Sequence, residues 1–124
     1  MTSDRLTFKE MCARFDVTPR TLRHYEYIEL LAPAREGRSR FYAPRDVARM
    51  TLILRGRRFG FSLEEIRQWL EMREKRGTDE QMRVAIDAAA RQIDILKEQR
   101  ADLDGTIEDL KTLHQEMAKI LAKS

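Results

Sequence analysis

Apolar residues recur at intervals of three and four along most of this chain, and polar start and stop signals divide the pattern into helices. Thr7 followed by Glu10 makes a capping box ahead of an apolar face of Phe8, Met11, Cys12 and Phe15, which predicts a helix from Phe8 to about Phe15. Leu6 and Met11 stand at staple positions around that start. Asp16-Val17 is a short turn. Thr18 caps again, and Pro19 takes the first helical position, where its missing N–H costs nothing. Two helices joined by so short a turn form a helix-turn-helix. The second helix keeps Arg20, Thr21, Arg23 and His24 off its apolar face, the composition of a helix that lies in a DNA groove.

Beyond Tyr25 the period loosens. Pro33 and Gly37 punctuate a basic stretch, and Arg40-Phe41-Tyr42 reads as a strand, so a small β-hairpin, or wing, is expected here. Pro44 opens a third helix to about Phe59, with Val47, Met50, Ile53 and Leu54 inward and Gly60 as its stop. Gly56 inside that helix costs on the order of 1 kcal/mol against alanine. Ser62 with Glu65 starts a fourth helix to about Arg73, which buries Leu63, Ile66, and Trp69 or Leu70; Gly77 ends it. Thr78 with Gln81 caps the last and longest helix. From Met82 its sequence steps by four and three through Ile86, Ala89, Ile93, Leu96, Arg100, Leu103, Ile107, Leu110, His114, Met117 and Leu121. Ten of these twelve are apolar where a composition of 42% would give about five, so a heptad seam is expected. Forty helical residues reach roughly 60 Å. One helix cannot bury such a stripe alone, and the simplest cover is the same helix of a second chain. Arg100 and His114 interrupt the seam, and Gly105 is a point where the helix could bend.

The fold class is therefore mainly α: a winged helix-turn-helix head over residues 1–77, followed by a coiled-coil dimerisation helix over 78–124. Charge follows this division. Residues 1–77 carry 17 Lys+Arg against 11 Asp+Glu, and residues 78–124 carry 7 against 10, so a net charge of +3 hides a head at +6 and a tail at −3. The basic half is also the half with the helix-turn-helix, which points to a polyanion held at one end. No apolar run approaches the roughly 18 residues of a membrane span. The N-terminus, Met1-Thr2-Ser3-Asp4-Arg5, lacks the apolar centre of a signal peptide. With one cysteine, Cys12, and nothing to argue for export, a cytoplasmic protein is expected.

Val17-Thr18-Pro19-Arg20-Thr21-Leu22-Arg23-His24-Tyr25-Glu26, then Leu30-Leu31, Pro33, Arg35, Arg40-Phe41-Tyr42 and Phe59-Gly60-Phe61-Ser62-Leu63-Glu64-Glu65-Ile66, closely resemble the MerR family of bacterial transcription regulators. The match runs through residues 6–72, and the long helix after Gly77 resembles that family's antiparallel dimerisation helix. The resemblance implies a homodimer on a pseudo-palindromic promoter operator in double-stranded DNA. It implies distortion of the DNA between the −35 and −10 elements so that RNA polymerase can read both. Carried over by position, Thr18, Arg20 and Thr21 begin the recognition helix, and Arg23, His24 and Tyr25 match a stretch that clamps the backbone; histidine stands at the second place where tyrosine is usual. Arg40 and Tyr42 match the wing, and Arg57 or Arg58 a phosphate-contacting position; Arg38, beside them in the wing, is read with Arg40 as a phosphate or minor-groove contact. For Tyr25 a core-packed ring with its hydroxyl at a phosphate satisfies both readings.

Cys12 on the apolar face of the first helix reads as a core thiol, and His114 as a polar register residue. Metal-sensing relatives place cysteines at the start of the dimer helix and in a loop after it, and this chain has none there. A non-metal-sensing branch is expected, with no metal, no cofactor and no catalytic residues. No phosphate-binding glycine loop or nucleophile elbow occurs either. The rival readings are an architectural DNA-bending factor of the excisionase kind and a coiled-coil adaptor for proteins. No effector can be named from the residues.

Overall fold

Local signals set the first two helices. In the computed structural model, which describes residues 4–124 except the side chains of residues 73 and 74, α1 spans Phe8–Phe15 and α2 spans Pro19–Tyr27. The first three residues, part of the stretch read above as lacking a signal peptide, lie outside the described residues. The capping box is formed in both directions: the Glu10 amide donates to Thr7 Oγ1 at 3.1 Å, and the Thr7 amide to Glu10 Oε1 at 2.9 Å. Asp16 closes α1 in the left-handed region, φ 52°, with its N–H returned to Cys12 O, a conformation that a short polar side chain tolerates. The Thr18 hydroxyl then accepts the Thr21 amide at 3.1 Å to open α2.

The cap carries a pH signature. The Thr7 backbone N–H, and then the Thr7 hydroxyl, hold the Glu10 carboxyl below its ordinary pKa. A depressed carboxylate stabilises the fold above its unfolded pKa, and that contribution is lost as pH falls through the folded value. We expect an NMR titration to place Glu10 below the ordinary glutamate value, and amide protection at the start of α1 to decline over the same acid range. Thr7→Ala should raise the Glu10 value only part of the way, because the backbone N–H that contributes most remains.

The wing has one strand more than the sequence pattern indicated. β2 (Ala34–Glu36) and β3 (Ser39–Tyr42) form the expected hairpin around Gly37, whose φ of 63° suits the turn. A two-residue strand, β1 (Leu6–Thr7), pairs antiparallel with the far edge of β3, placing Leu6 opposite Tyr42 and Thr7 opposite Phe41; the sheet order is β1-β3-β2. The start of α1 is thereby tied to the end of the wing.

α3 (Pro44–Phe59) and the first part of α4 (Leu63–Lys123) complete the head. Met11, Leu22, Leu30, Tyr42, Met50 and Ile53 are fully buried, and Ile66 and Leu70 nearly so. Gly56 is explained by a neighbour: a Cβ there would lie 2.9 Å from Ile66 Cγ1 and Cδ1. The intrinsic cost of glycine in a helix is thus accepted so that α3 and α4 can approach closely. Asp46, which no sequence pattern marked as inward, is buried and its carboxylate accepts the Ala32 amide at 3.4 Å.

Helical geometry in α4 breaks at Gly77, φ 86° and ψ 173°. Gln81, read from sequence as the partner of Thr78 in a helix cap, is buried and clamped to Trp69: Trp69 Nε1 donates to Gln81 O at 3.0 Å, and Gln81 Nε2 to Trp69 O at 3.1 Å. The chain divides into two compact units, Met1–Gln81 and Met82–Ser124. The second unit is one helix with no break at Gly105.

Candidate nucleic-acid interface

The exposed side of α2 is set by its buried side. Leu22 and Tyr25 point into the core, so Arg20, Arg23 and His24, at the intervening positions, are exposed. Tyr25 is 6% exposed, which fixes its ring in the core as the sequence reading required. Thr18 and Thr21 are occupied locally, since the Thr18 hydroxyl also reaches Thr21 Oγ1 at 3.0 Å. Their first task is to hold the start of the helix.

Beside α2 stands a cationic concavity lined by Arg23, Glu26, Tyr27, Arg35 and Arg40. Glu26, its only acid, has a side chain 10% exposed. It accepts a hydrogen bond from the Tyr42 hydroxyl. Arg40 Nε lies 3.0 Å from Glu26 Oε1, within ion-pair distance but without the alignment of a hydrogen bond, and Arg35 Nη2 lies 3.8 Å from the same oxygen. Phe8 supplies the apolar floor: the guanidinium carbons of Arg40 and Arg23 lie 4.9 and 5.7 Å from its ring centre, in cation–π range. Tyr27, 86% exposed, forms the outer lip.

This arrangement corrects one expectation. Tyr42, expected in the wing surface against DNA, is 0% exposed. Arg40 and Tyr42 are two apart on β3 and share a face, and the pairing of Leu6 with Tyr42 turns that face toward the core and Glu26. Burial, then the bond to Glu26, push the Tyr42 hydroxyl far above its ordinary pKa, so it remains a donor. Arg40 is half-buried and its charge is committed to Glu26. Arg38, next to Gly37 at the wing tip, is exposed, and so are Arg55, Arg57 and Arg58 along α3. Arg5 braces the wing from the far side, 2.8 Å from Glu36 and 4.1 Å from the centre of the Phe41 ring.

Glu26, Phe8 and Tyr27 belong to the surface and were not read as such. The available signal was Glu26 itself, the only carboxylate on a helix whose other charges are basic. Cys12 is half-buried against the core, and burial raises its thiol pKa. Among the described residues no three His, Cys, Asp or Glu side chains stand together as a metal site, and no helix is long and apolar enough to cross a membrane.

A proline-started, threonine-capped helix with three exposed basic side chains, flanked by a basic wing, is the working surface of a winged helix-turn-helix DNA-binding transcription regulator. The chain belongs to the MerR family: the family model for the MerR helix-turn-helix regulatory protein matches residues 6–73, and the model described as MerR, DNA binding, matches residues 47–120. The chain is 31% identical to the HTH-type transcriptional regulator HmrR of Rhizobium leguminosarum bv. viciae over 113 residues, which cover 90% of this chain and 81% of that one. It is 32% identical to an uncharacterized HTH-type transcriptional regulator of Pseudomonas aeruginosa over 114 residues, 90% of this chain and 80% of that one. Among solved structures it is similar in fold to HiNmlR, a MerR family regulator lacking the sensor domain and bound to promoter DNA (TM-score 0.66, 22% identity, 84% of this chain and 79% of that one). It is also similar to PbrR691 from Ralstonia metallidurans in complex with lead(II) (TM-score 0.62, 29% identity, 86% and 85%).

Proposed function

We propose that this regulator acts as a homodimer on a pseudo-palindromic promoter operator. In this reading residues 1–77 read DNA and residues 78–124 join the two copies. α2 enters the major groove, with Arg20 and Arg23 at base edges or adjacent phosphates, and Arg38, Arg57 and Arg58 hold the backbone to either side. Flanking phosphate contacts of this kind support a bent, untwisted spacer between the −35 and −10 elements, which RNA polymerase then reads. The observation that carries the reading is the capped, basic, outward face of α2 next to a wing whose tip arginine is free of the core. The DNA-bound state of HiNmlR supports it by analogy of fold. The role is regulatory, cytoplasmic and non-enzymatic. With Cys12 as its single thiolate source, the chain fits a branch that does not sense metal ions through cysteine.

The test is titration of the purified chain against its operator, located by footprinting its own upstream region, and against a scrambled duplex of equal length. Arg20→Ala should cost about 1–3 kcal/mol on the operator and lower the salt slope by about one. It should change binding to the scrambled duplex far less. Equal affinity of the unsubstituted chain for both duplexes would sink the reading.

A further inference from the structure

We propose that Tyr27, the last residue of α2, grips the DNA backbone: its ring packs on a deoxyribose at the wall of the major groove, and its hydroxyl donates to the adjoining phosphate. The inference rests on the DNA-binding reading above and adds to it a side chain that carries no charge and reads no base.

Helical geometry puts Tyr27 on the working face. Residues three, four and seven apart share one side of an α-helix, so Arg20, Arg23, His24 and Tyr27 form a single stripe, and all four are exposed. At 3.6 residues per turn Tyr27 falls within about 20° of Arg20 around the helix axis. It lies nearly opposite the midpoint of Leu22 and Tyr25, the two side chains that α2 buries. A groove that receives the arginines of this stripe receives Tyr27 with them.

Position along the axis decides what it meets. The first residues of a recognition helix reach base edges. Tyr27 is seven residues beyond Arg20, about 10 Å further along, and the major groove is about 12 Å wide. With Arg20 on the bases, the far end of α2 comes out to the groove wall, where sugar and phosphate stand.

Charge agrees with this placement. Tyr27 forms the lip of the concavity that also holds Arg23, Arg35 and Arg40. Three guanidiniums around one phenol draw a phosphate rather than an apolar partner. The one acid there, Glu26, is turned inward: its side chain is 10% exposed, and Tyr42 and Arg40 take up its oxygens. Arg35 stays open on the outer side, with a side chain 57% exposed.

Little of the ring is engaged within the fold. Tyr27 is 86% exposed, more than any other large apolar side chain among the described residues. Tyrosine joins a flat apolar body to a polar tip and loses little rotamer freedom on docking, which suits a sugar beside a phosphate. A cation in its place would displace a further counterion from the duplex; tyrosine holds the backbone without doing so.

Substitution read against salt tests this. The full chain is titrated with its footprinted operator and with the scrambled duplex, at about 50 and about 200 mM salt. Tyr27→Ala should weaken binding to both duplexes by the same factor, about tenfold, at both salt concentrations. Arg23→Ala removes a charge and should instead flatten the salt dependence. Tyr27→Phe keeps the ring and loses the hydroxyl, so its loss should be smaller, about threefold. The urea midpoint of Tyr27→Ala should match that of the unsubstituted chain. Unchanged affinity, a loss confined to the operator, a loss that varies with salt, or a lowered urea midpoint would each overturn the contact. With Arg20→Ala still weakening the operator, any of these leaves the regulator reading standing. Equal affinity of the unsubstituted chain for both duplexes sinks that reading instead, while Tyr27→Ala still reports on the backbone contact.

Discussion

Glutamate in place of Ile93 is expected to leave a chain that sediments as a monomer at micromolar concentration and no longer distinguishes its operator from a scrambled duplex. Ile93 is 51% exposed in the single chain and lies in the middle of the seam's first half. Covering such a side chain is worth about 1.5–3 kcal/mol, and a carboxylate in its place adds a desolvation cost of several more. Two-fold symmetry inserts the change twice, so the dissociation constant should rise by at least a thousandfold on the 1.4 kcal/mol-per-decade scale. DNA affinity falls in turn. Two linked heads gain about 10²–10⁴ over one through effective concentration, and separation removes that gain without touching α2. A control at Thr112, an exposed position on the opposite side from the seam whose hydroxyl bonds only to Glu108 O, separates loss of the seam from added charge: Thr112→Glu should remain dimeric and bind. If Ile93→Glu stays a dimer at micromolar concentration, the seam has been assigned to the wrong face.

What was legible in the sequence was what neighbours in the chain decide. Thr7 with Glu10, Thr18 with Pro19, and Gly60 are start and stop signals complete within four residues, and α1 and α2 begin, and α3 ends, where those signals stand. The basic wing was legible from Gly37 and the residues after it. The inward turn of Tyr42 was not, because it depends on pairing with Leu6, 36 positions earlier, through a strand of two residues that has no pattern of its own. The commitment of Arg40 to Glu26 has the same origin: an arginine in a basic loop reads as free until the fold brings it to a carboxylate on another element. Gly56 and Gln81 show how tertiary demand outweighs local rule. One accepts a poor helix former to admit Ile66, and the other gives its side-chain amide to Trp69 across the break at Gly77. The cations expected at the candidate surface, Arg20, Arg23, Arg38, Arg57 and Arg58, are thus all exposed, while the acid and aromatic side chains that join α2 to the wing could not be read in advance.

That junction makes Glu26 the single side chain of the head whose loss should cost most for its size. It is nearly buried and takes the Tyr42 hydroxyl on one side and Arg40 on the other, with Arg35 behind. Glu26→Ala leaves a fully buried hydroxyl without an acceptor and a half-buried guanidinium without its counter-charge, a change worth about 3–5 kcal/mol. Against the few kcal/mol that stabilise a small domain, such a loss unfolds much of the population near physiological temperature. Trp69, the only tryptophan, lies in the same unit and reports the transition by fluorescence in a urea titration. Two further variants separate the parts. Tyr42→Phe removes the buried donor together with its need for an acceptor, so it should cost only about 1 kcal/mol. Glu26→Gln retains an acceptor for Tyr42 but drops the charge that holds Arg40 and Arg35, so its thermal stability should lie between the two. Its footprint should lose protection at the operator flanks first, because the wing is then no longer locked to α2. Should Glu26→Ala match the unsubstituted chain in urea midpoint, the wing and the recognition helix are held together by the Phe8 floor and the Leu6–Tyr42 pairing alone, and the carboxylate has no mechanical part in keeping them together.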